Sequence, residues 1–508
     1  MRTLLSLILL SLSTALVAQV PLDVMTTSGL VMGTSASPAV QVWRGLPYAA
    51  APVGAGRWRE PQPAEAWLGV RDATEFGARC VGRGYAGGTE QPRMSEDCLY
   101  LNVYSAAPSV EQPLPVIVWI HGGGFFAGSG SDAIYDATNL ASKGAVVVTF
   151  NYRLGSFGFF AHPELSAESP NQSSGNYALL DMVKVLEWVY DNIAAFGGDP
   201  INVTIVGESA GAQAVGTLLA SPLSAGLFHR AILQSGGWMG LGIGPQPTLA
   251  EREVLGSEQA TAFGAAALAD LRSASTQQIF DSFPNSGGIN VDGYLLTKDT
   301  ALTFAAGEQQ PVDVLAGSNE NEGAFFGPGL QTAQELRDYA ATRFGPLAER
   351  FLELYPAGDD MEANRSYLRA YTNELAWQVR QLGEYQSVRG LGTWIYHFTH
   401  VPPGQEERGA THVSELAYMF NQHEQNANWD DADRALADTM AAYWVNFARS
   451  TNPNAQGLPA WPPFRGNLPG NVMLLGESAV PEVDMVPSAE VLEFFDAAYQ
   501  RHLDTLAP

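Results

Sequence analysis

Lysine is nearly absent from this sequence, since Lys143, Lys184 and Lys298 are the only three among 508 residues. Lys and Arg together number 27 against 53 Asp and Glu, so the formal net charge is -26. A chain with so few cations has no basic patch to neutralise phosphates. Nucleic acid is therefore not expected as a partner, and an anionic membrane surface would repel the protein. The acidity either keeps the protein soluble, for instance in a salty medium, or creates a negative field that favours neutral or cationic substrates.

Long apolar runs are absent after the N-terminus, where no segment has the roughly 18 uninterrupted apolar residues of a membrane-spanning helix. The N-terminus has the pattern of a signal peptide: Arg2 supplies positive charge, residues 4–12 are mostly apolar, and Ala15 and Ala18 offer cleavage points. We predict a signal peptide over residues 1–18 with an approximate cleavage site, and a buried first helix is the alternative. The protein is therefore expected to be secreted or periplasmic, without a membrane anchor.

Cysteine is also scarce, and Cys80 and Cys98 are the only two in the chain. An even pair in an exported protein predicts one disulfide, while two separate buried thiols are the alternative. The enclosed loop is rich in glycine and could not hold itself rigid. A crosslink of this size stabilises a fold by about 3 kcal/mol, because it restricts the unfolded chain. The loop glycines are Gly82, Gly84, Gly87 and Gly88.

Apolar residues make up 46% of the chain against 16% charged residues, which is enough for a large core. From about residue 115, short apolar runs rich in β-branched residues alternate with stretches of helical periodicity. This alternation predicts an α/β fold with a mostly parallel sheet covered by helices on both faces, and a functional site at the carboxyl ends of the strands. The predicted strands are 115–120, 145–150, 203–206, 231–234, 312–316 and 393–398, and the predicted helices include 176–195 and 209–219.

Two less regular regions, 240–310 and 320–390, are interpreted as insertions that cover the site, and the second is mainly helical. No linker separates two independent units. We therefore predict a single domain over residues 19–508.

The strongest local signal is the segment GESAG at 207–211, which places Ser209 between the apolar strand 203–206 and a helix. A serine on such a sharp turn is held in a strained backbone geometry, and the flanking glycines let neighbouring chain pack closely. The N–H groups at the start of the helix point at the same place. This pattern predicts a nucleophilic serine, whereas the alternative is a serine that only caps the helix.

A second signal is the segment HGGGFF at 121–126, directly after the strand predicted at 115–120. Three consecutive glycines expose backbone N–H groups without side-chain obstruction, and a developing oxyanion requires N–H donors fixed in place. The segment therefore predicts an oxyanion-binding loop, and an ordinary flexible loop is the alternative.

Together with these two segments, four further stretches resemble the type-B carboxylesterase and cholinesterase family, and in particular a secreted bacterial carboxylesterase. The resemblance extends from about residue 26 to about residue 465. It implies an α/β-hydrolase fold with insertions over the site, and hydrolysis of carboxylic esters by a triad in the chain order serine, acid, histidine. The four stretches are SEDCLYLNV at 95–103, NYR at 151–153, FGGDP at 196–200 and QSG at 234–236.

For the acid of the triad, the resemblance points to Glu322, which directly precedes Gly323 and follows the strand predicted at 312–316. Glu320 is the rival carboxylate in the same turn. A loop carboxylate without a catalytic role is the remaining alternative.

Five of the eight histidines lie late enough in the chain to complete the triad. One of them, His412, is followed by Glu415 and an aromatic-rich segment, and so resembles the catalytic histidine of the family. Its alternative interpretation is a surface loop residue. His397 lies within an apolar run and His400 just after it, and either could be a core or surface histidine. The five candidates are His397, His400, His412, His423 and His502.

The resemblance also implies how these residues act. His412 takes the proton of Ser209 as the serine attacks an ester carbonyl, and Glu322 orients the imidazole and stabilises its charged form. Water then releases the acid from the acyl-enzyme. No metal or organic cofactor is expected, because the chemistry needs none and no metal-binding or phosphate-loop motif is present.

Further polar groups are implied around this triad. The backbone N–H groups of Gly123, Gly124 and Ala210 are expected to receive the oxyanion. Glu208 and Ser235 resemble polar residues that lie behind the family's triad.

The resemblance to cholinesterases is incomplete. Cys80 and Cys98 match the family's first disulfide, but Gly88 stands where those enzymes carry the tryptophan of their choline site, and Tyr85 is the only aromatic residue in the loop. We therefore predict a general carboxylesterase that acts on a small-molecule ester and is a monomer or a weak homo-oligomer. The alternatives are a hydrolase of amides, carbamates or polymeric esters on the same triad, and a non-catalytic adhesion protein of the same fold.

Overall fold

A computed structural model describes residues 19–506, except 84–92, 284–287, 327–328, 331, 424–425, 427 and 484. The predicted signal peptide over residues 1–18 lies outside the described residues. The strands are β1 (Asp23–Thr26), β2 (Gly29–Met32), β3 (Thr34–Ser37), β4 (Val40–Pro47), β5 (Val70–Asp72), β6 (Arg79–Cys80), β7 (Met94–Ser95), β8 (Tyr100–Ser105), β9 (Leu114–Ile120), β10 (Val146–Phe150), β11 (Gly198–Glu208), β12 (Arg230–Gln234), β13 (Asp313–Asn319), β14 (Thr393–Phe398), β15 (Val472–Leu475) and β16 (Ala479–Pro481). The helices are α1 (Thr138–Ser142), α2 (Gly155–Phe159), α3 (Pro163–Glu168), α4 (Tyr177–Asn192), α5 (Ala210–Ala220), α6 (Leu249–Phe263), α7 (Leu268–Ser273), α8 (Thr276–Ser282), α9 (Thr300–Ala305), α10 (Ala333–Phe344), α11 (Ala348–Leu354), α12 (Asp360–Ser387), α13 (Leu416–Met419), α14 (Asp431–Ser450) and α15 (Ala489–Leu506).

Eleven of these strands form one sheet in the order β16-β15-β14-β13-β12-β11-β9-β10-β8-β4-β3. Neighbours from β15 to β10 run parallel, and the strands beyond them at both edges pair antiparallel. Parallel strands in the middle of a sheet are covered on both faces, which is why every residue of β10 and of β14 is buried. The predicted mostly parallel α/β sheet is confirmed.

The predicted elements have counterparts in the structure, and most differ only slightly at their ends, although β11 extends the strand predicted over 203–206 to Gly198–Glu208. The helix predicted over 209–219 is α5, and the helix predicted over 176–195 is α4 followed by a short 3-10 turn, Ile193–Phe196. Strands β1 to β8 have no counterpart among the predictions. Most of them are only two to six residues long, and β1, β2, β3, β5 and β7 are partly exposed, so their apolar runs are weak.

Helices cover the two faces of the sheet, and successive residues of one strand point to opposite faces. In β9, Val116 and Val118 belong to the core beneath α4, α5 and the inserted helices. Ile117 and Trp119 of the same strand belong to the core beneath α1, α13 and α14. The chain therefore buries both faces of β9, and this central strand is held from two sides.

The carboxyl ends of the parallel strands meet at one edge of the sheet. Strands β9, β11, β12 and β13 end at Ile120, Glu208, Gln234 and Asn319. Each end is followed within three residues by a segment that the sequence singles out for chemistry. The topology therefore collects these segments at a single edge.

Cys80 and Cys98 form a disulfide, with their Cα atoms 4.9 Å apart, so the predicted crosslink is confirmed. Part of the enclosed loop, including Gly84, Tyr85 and Gly88, lies outside the described residues. Across the described ranges, no helix is both long enough and apolar enough to cross a membrane.

Candidate active site

Ser209 occupies the turn between β11 and α5 with φ 56° and ψ -122°, a conformation that L-residues rarely adopt. The turn is possible because its flanking glycines have no side chains. A Cβ atom on Gly207 would lie 2.3 Å from the backbone of Gly211, and one on Gly211 would lie 2.1 Å from the carbonyl oxygen of Ile120. The serine N–H donates to Gln234 O at 3.0 Å, which ties the turn to β12. The close packing of the ends of β9, β11 and β12 thus holds the backbone of Ser209 in a strained conformation.

The glycine loop after β9 lies directly against this turn. A Cβ atom on Gly122 would be 2.6 Å from Glu208 Oε2 and 3.2 Å from Ser209 Cβ. Gly123 and Gly124 have φ values of 104° and 63°, which glycine adopts without strain. In the ranges that the structure describes, the N–H groups of Gly123, Gly124 and Ala210 have no protein acceptor. Three unpaired donors therefore lie in the glycine loop and at the start of α5, the two segments that meet at the serine turn.

His412 lies in the loop between β14 and α13, beside the turn that follows β13. Its Nδ1 atom is 2.6 Å from Glu322 Oε2, and the other oxygen of that carboxylate accepts the backbone N–H of Asn319 at 2.7 Å. The rings of Phe325 and Phe326 pack against the imidazole, with centroid distances of 5.3 and 4.9 Å. The imidazole is thus held by one carboxylate and two aromatic rings.

A second carboxylate also faces this histidine. Glu208 Oε1 lies 3.1 Å from His412 Nε2, but the two groups are not aligned as a hydrogen bond, so the contact is electrostatic. No hydrogen bond joins Nε2 to Ser209 within the described residues, and Nε2 has no other acceptor there. The histidine is therefore buried between Glu208 and Glu322.

Burial and charge act in opposite directions on these groups. Burial lowers the pKa of His412, but the carboxylates of Glu208, Glu322 and Glu415 outweigh it and raise the pKa to about 9. Burial raises the pKa of Glu208 to about 8 despite the opposing effect of His412. The imidazole of His412 and the carboxylate of Glu208 therefore titrate as a coupled pair, because each changes the pKa of the other.

The rival candidates lie elsewhere. Glu320 is exposed beyond the end of β13, where its N–H donates to Phe398 O. His397 is buried within β14, and burial lowers its pKa to about 4. His400 pairs with Asp433 at 2.7 Å. The structure therefore brings Glu322 and His412 together and places these other candidates apart from them.

A hydrogen-bonded network behind the site was not predicted from the sequence. Glu415 is buried and accepts from Asn319 Nδ2 at 2.6 Å and from Gln234 Nε2 at 3.1 Å. Trp444 of α14 donates to Gln234 Oε1 at 3.0 Å. These residues come from four distant parts of the chain, so only the proximity of Glu415 to His412 in sequence could have pointed to the network.

Ser235 is fully buried directly after β12 with φ 52°, and its N–H donates to Gly317 O at 2.8 Å. Its hydroxyl has no hydrogen-bond partner within the described ranges. No group of three potential metal ligands occurs in the part of the chain that the structure describes.

A parallel sheet with a serine turn, an adjacent glycine loop and a histidine–carboxylate pair at one edge defines the α/β-hydrolase class. Comparison with known proteins gives the family. The profile of the carboxylesterase family matches residues 20–495, and the chain belongs to this family.

Two characterised relatives are similar over most of their length. The chain is 40% identical over 473 residues to fumonisin B1 esterase of Sphingopyxis macrogoltabida, covering 89% of this chain and 86% of that protein. It is 36% identical over 471 residues to para-nitrobenzyl esterase of Bacillus subtilis (strain 168), covering 87% and 92%. The protein is a serine carboxylic-ester hydrolase, as the sequence predicts.

Solved structures agree on the fold. One PNB esterase structure covers 96% of this chain and 99% of its own, with a TM-score of 0.81 and 31% sequence identity. A thermophilic PNB esterase covers 93% and 99%, with a TM-score of 0.82 and 32% identity. The predicted α/β-hydrolase fold is confirmed.

Proposed function

We propose that Ser209 is the nucleophile of this carboxylesterase, with His412 as the general base and Glu322 as the carboxylate that orients the imidazole. The observation that carries the proposal is the 2.6 Å contact between His412 Nδ1 and Glu322 Oε2, beside a serine held on a strained turn. A proton on Nδ1 faces the carboxylate, which leaves Nε2 to exchange a proton with the serine.

In the first half of the reaction, Ser209 Oγ forms a bond to the ester carbonyl carbon while His412 Nε2 takes the hydroxyl proton. The carbonyl oxygen becomes an oxyanion, and in this proposal it accepts hydrogen bonds from the N–H groups of Gly123, Gly124 and Ala210, which have no other acceptor among the described residues. The bond between the carbonyl carbon and the alkoxy oxygen then breaks, and the imidazolium gives its proton to the leaving alcohol.

In the second half, water replaces the alcohol. His412 takes a proton from the water as its oxygen attacks the acyl-enzyme, and the same N–H groups bind the second oxyanion. The imidazolium then returns its proton to Ser209 Oγ, and the carboxylic acid leaves. Glu322 keeps the imidazole in one orientation and favours its charged form in both halves.

The test of the nucleophile uses an organophosphate serine probe. Ser209→Ala should fold and show no covalent adduct by intact-protein mass spectrometry, whereas wild type should gain one. Ser235→Ala is the matched control, because it removes another buried serine hydroxyl beside the site and should still be labelled. Labelling of Ser209→Ala would overturn the assignment.

For the substrate, we propose small esters with an apolar group. A cavity of about 200 Å³ lies beside the glycine loop and is lined mainly by apolar side chains, including Phe126, Leu154, Phe157, Phe280 and Phe283. Both characterised relatives carry the names of esterases of small molecules, fumonisin B1 and para-nitrobenzyl compounds. An apolar cavity of this kind favours a compact apolar group of the substrate.

Turnover of para-nitrophenyl acetate, butyrate and octanoate, and of butyryl para-nitroanilide, tests this proposal. Phe280→Ala enlarges the cavity from a partly exposed position, so it should move the preference toward the longer acyl chain. Phe325→Ala, a change of the same type over His412, is the control for a general loss of activity. Hydrolysis of the anilide alone would contradict the ester preference.

We further propose that the chain is exported to the periplasm or the medium. The N-terminal pattern supports this, and so does the disulfide, because disulfides persist in oxidising compartments. N-terminal sequencing of the protein from a bacterial host should find a start near residue 19. An intact Met1 in an active cytoplasmic form would contradict export. The single domain over 19–508 and the monomeric or weakly oligomeric state stay predictions, which sedimentation would test.

A further inference from the structure

A second cavity, of about 280 Å³, opens between the loop after β12, the end of α10 and one face of α15. Its described lining contains none of the residues assigned to catalysis. The polar groups that line it are Arg343, Arg501, His502 and Thr505, and the apolar ones include Phe344 and Leu347.

The charge of this cavity is opposite to that of the whole chain. The formal net charge is -26, yet two arginines and a histidine line the cavity, and none of its described lining residues is acidic. All three lysines, by contrast, pair with carboxylates. A cationic cavity on an acidic protein draws anions that the rest of the surface repels.

Of the two arginines that line the cavity, Arg501 is the one without a carboxylate partner among the described residues. It is exposed on α15 and makes no ion pair or hydrogen bond with any described residue. Its guanidinium lies against the turn after α10, where a Cβ atom on Gly345 would be 2.7 Å from Nη2. Gly345 has φ 54° and so suits both the turn and the space that the guanidinium occupies.

Arg343 is held in place by neighbouring groups, and its positive charge is paired with the carboxylate of Glu374. Its Nη2 atom contacts Glu374 Oε1 at 2.5 Å and donates to Ile243 O at 3.3 Å, and its Nη1 atom donates to Tyr339. Burial acts to lower the pKa of Arg343, but Glu374 and Tyr339 outweigh it and raise the pKa, so the side chain is charged. Arg343 therefore shapes one wall of the cavity, and Arg501 supplies the free charge.

His502 provides an unpartnered donor or acceptor. The residue is only 8% exposed, and its Nε2 atom is buried without a hydrogen-bond partner among the described residues. Burial lowers the pKa of His502, so the imidazole is neutral at pH 7. A neutral imidazole protonated at Nε2 can donate one hydrogen bond, and a buried unpaired group of this kind is unfavourable until an acceptor arrives.

We propose that this cavity binds an organic carboxylate with an apolar tail, the chemical class of the acid that ester hydrolysis releases. One free guanidinium matches one carboxylate, and Phe344 and Leu347 can contact the tail. His502 also lines the cavity, and its buried Nε2–H can donate to a carboxylate oxygen once the imidazole turns toward the ligand. The site is separate from the catalytic residues, so its occupancy does not depend on which serine is the nucleophile.

The test is isothermal titration of the intact protein with hexanoate, hexanol and inorganic phosphate. A bound organophosphate blocks the active site, so hexanoate that still binds to the blocked protein occupies a separate site. We expect hexanoate to bind the blocked wild type, and hexanol and phosphate to bind at least tenfold more weakly. Equal binding of hexanol or of phosphate would overturn the proposal, as would loss of hexanoate binding when the active site is blocked.

Three variants locate the site. Arg501→Gln and His502→Phe should each weaken hexanoate binding at least tenfold and leave the hydrolysis of a neutral ester unchanged. Arg365→Gln is the matched control, because it removes another exposed arginine, on α12, that has no ion pair in the described part of the chain. Its hexanoate affinity should equal that of the wild type. Unchanged binding in Arg501→Gln would place the carboxylate elsewhere and overturn the proposal.

Discussion

At the scale of single residues, the site is dominated by one imidazole between two carboxylates. Glu322 contacts His412 Nδ1 at 2.6 Å, whereas Glu208 lies 3.1 Å from Nε2 without a hydrogen bond. The two carboxylates therefore have different effects: the first orients the ring, and the second acts through its charge. Substitutions that keep shape and remove charge separate these effects.

The first prediction concerns the acid. Glu322→Gln should lower kcat by about 10³ to 10⁴, because a neutral amide neither stabilises the imidazolium nor holds the correct tautomer. Glu320→Gln is the matched control in the same turn and should stay within about threefold of wild type, since a surface substitution of this kind leaves the pair intact. Steady-state kinetics on para-nitrophenyl butyrate measures both. A larger loss in Glu320→Gln would mean that the other carboxylate is the acid.

The second prediction concerns pH. The pKa of His412 is raised to about 9 with Glu208 present, and the base acts only when it is unprotonated. Glu208→Gln removes one negative charge, so the pKa of His412 falls and the base is available at lower pH. The acid limb of kcat/KM against pH should move down by roughly 1 to 3 units. The Glu320→Gln profile is the control, and an upward or absent shift in Glu208→Gln would contradict the prediction.

At the scale of elements, the site depends on how closely α5 approaches the end of β9. Alanine usually favours a helix more than glycine does, but Gly211 has no room for a methyl group, because its Cβ atom would lie 2.1 Å from Ile120 O. The contact is with backbone, which cannot rotate away. The close packing of α5 against the end of β9, and not helix propensity, explains why residue 211 is a glycine.

The third prediction follows from that junction. Gly211→Ala should destabilise the protein by about 1–3 kcal/mol, because α5 must move away from β9, and activity should fall with it. Urea unfolding followed by fluorescence measures the loss. Gly56→Ala is the control, since the nearest atom to its Cβ is 3.6 Å away, and its stability should change by less than about 0.5 kcal/mol. Equal stability of the two variants would show that the junction is not tight.

At the scale of the whole molecule, charge is the distinguishing property. The formal net charge is -26, so the excess carboxylates of the folded protein repel one another. In the interior, the buried ion pairs Arg153–Asp181 and Arg380–Glu482 join segments that are distant in the chain. Surface repulsion extends over the Debye length and is screened by salt, whereas buried pairs are screened far less. The free energy of unfolding should therefore depend on ionic strength, because salt screens the repulsion between surface carboxylates.

The fourth prediction is the sign of that dependence. Raising NaCl from about 10 mM to about 1 M shortens the Debye length from about 30 Å to about 3 Å and weakens the self-repulsion. The Tm measured by calorimetry at pH 7 should rise by several degrees. Sucrose at the same osmolality is the control for exclusion from the surface, and a Tm that falls with NaCl would show that surface attractions outweigh the repulsion.

Most of the predictions from the sequence rest on patterns of residues that are close together in the chain. Strands β9 to β14 are short runs of buried apolar residues, and the turn at Ser209 is marked by its own glycines, because a strand-to-helix turn of this kind depends on neighbouring residues. The disulfide also follows from the sequence, since only one pairing of Cys80 and Cys98 exists. Strands β1, β2, β3, β5 and β7 are short and partly exposed, so their apolar pattern is weak. The buried strands β4 and β8 contain polar residues among their apolar ones, which interrupts the apolar run.

By itself, the amino-acid sequence predicted the family, the parallel sheet, the serine turn and the ester chemistry, because each is marked by motifs or apolar runs of residues adjacent in the chain. The sequence also predicted that Glu322 orients His412, and the structure gives the distance between them. Only the tertiary structure decided that Glu208 faces His412, that Glu415 joins Asn319 to Gln234, and that Arg501 and His502 line a cationic cavity. These contacts join residues up to about two hundred positions apart. Their geometry comes from the packing of strand ends and helices, which no local pattern encodes.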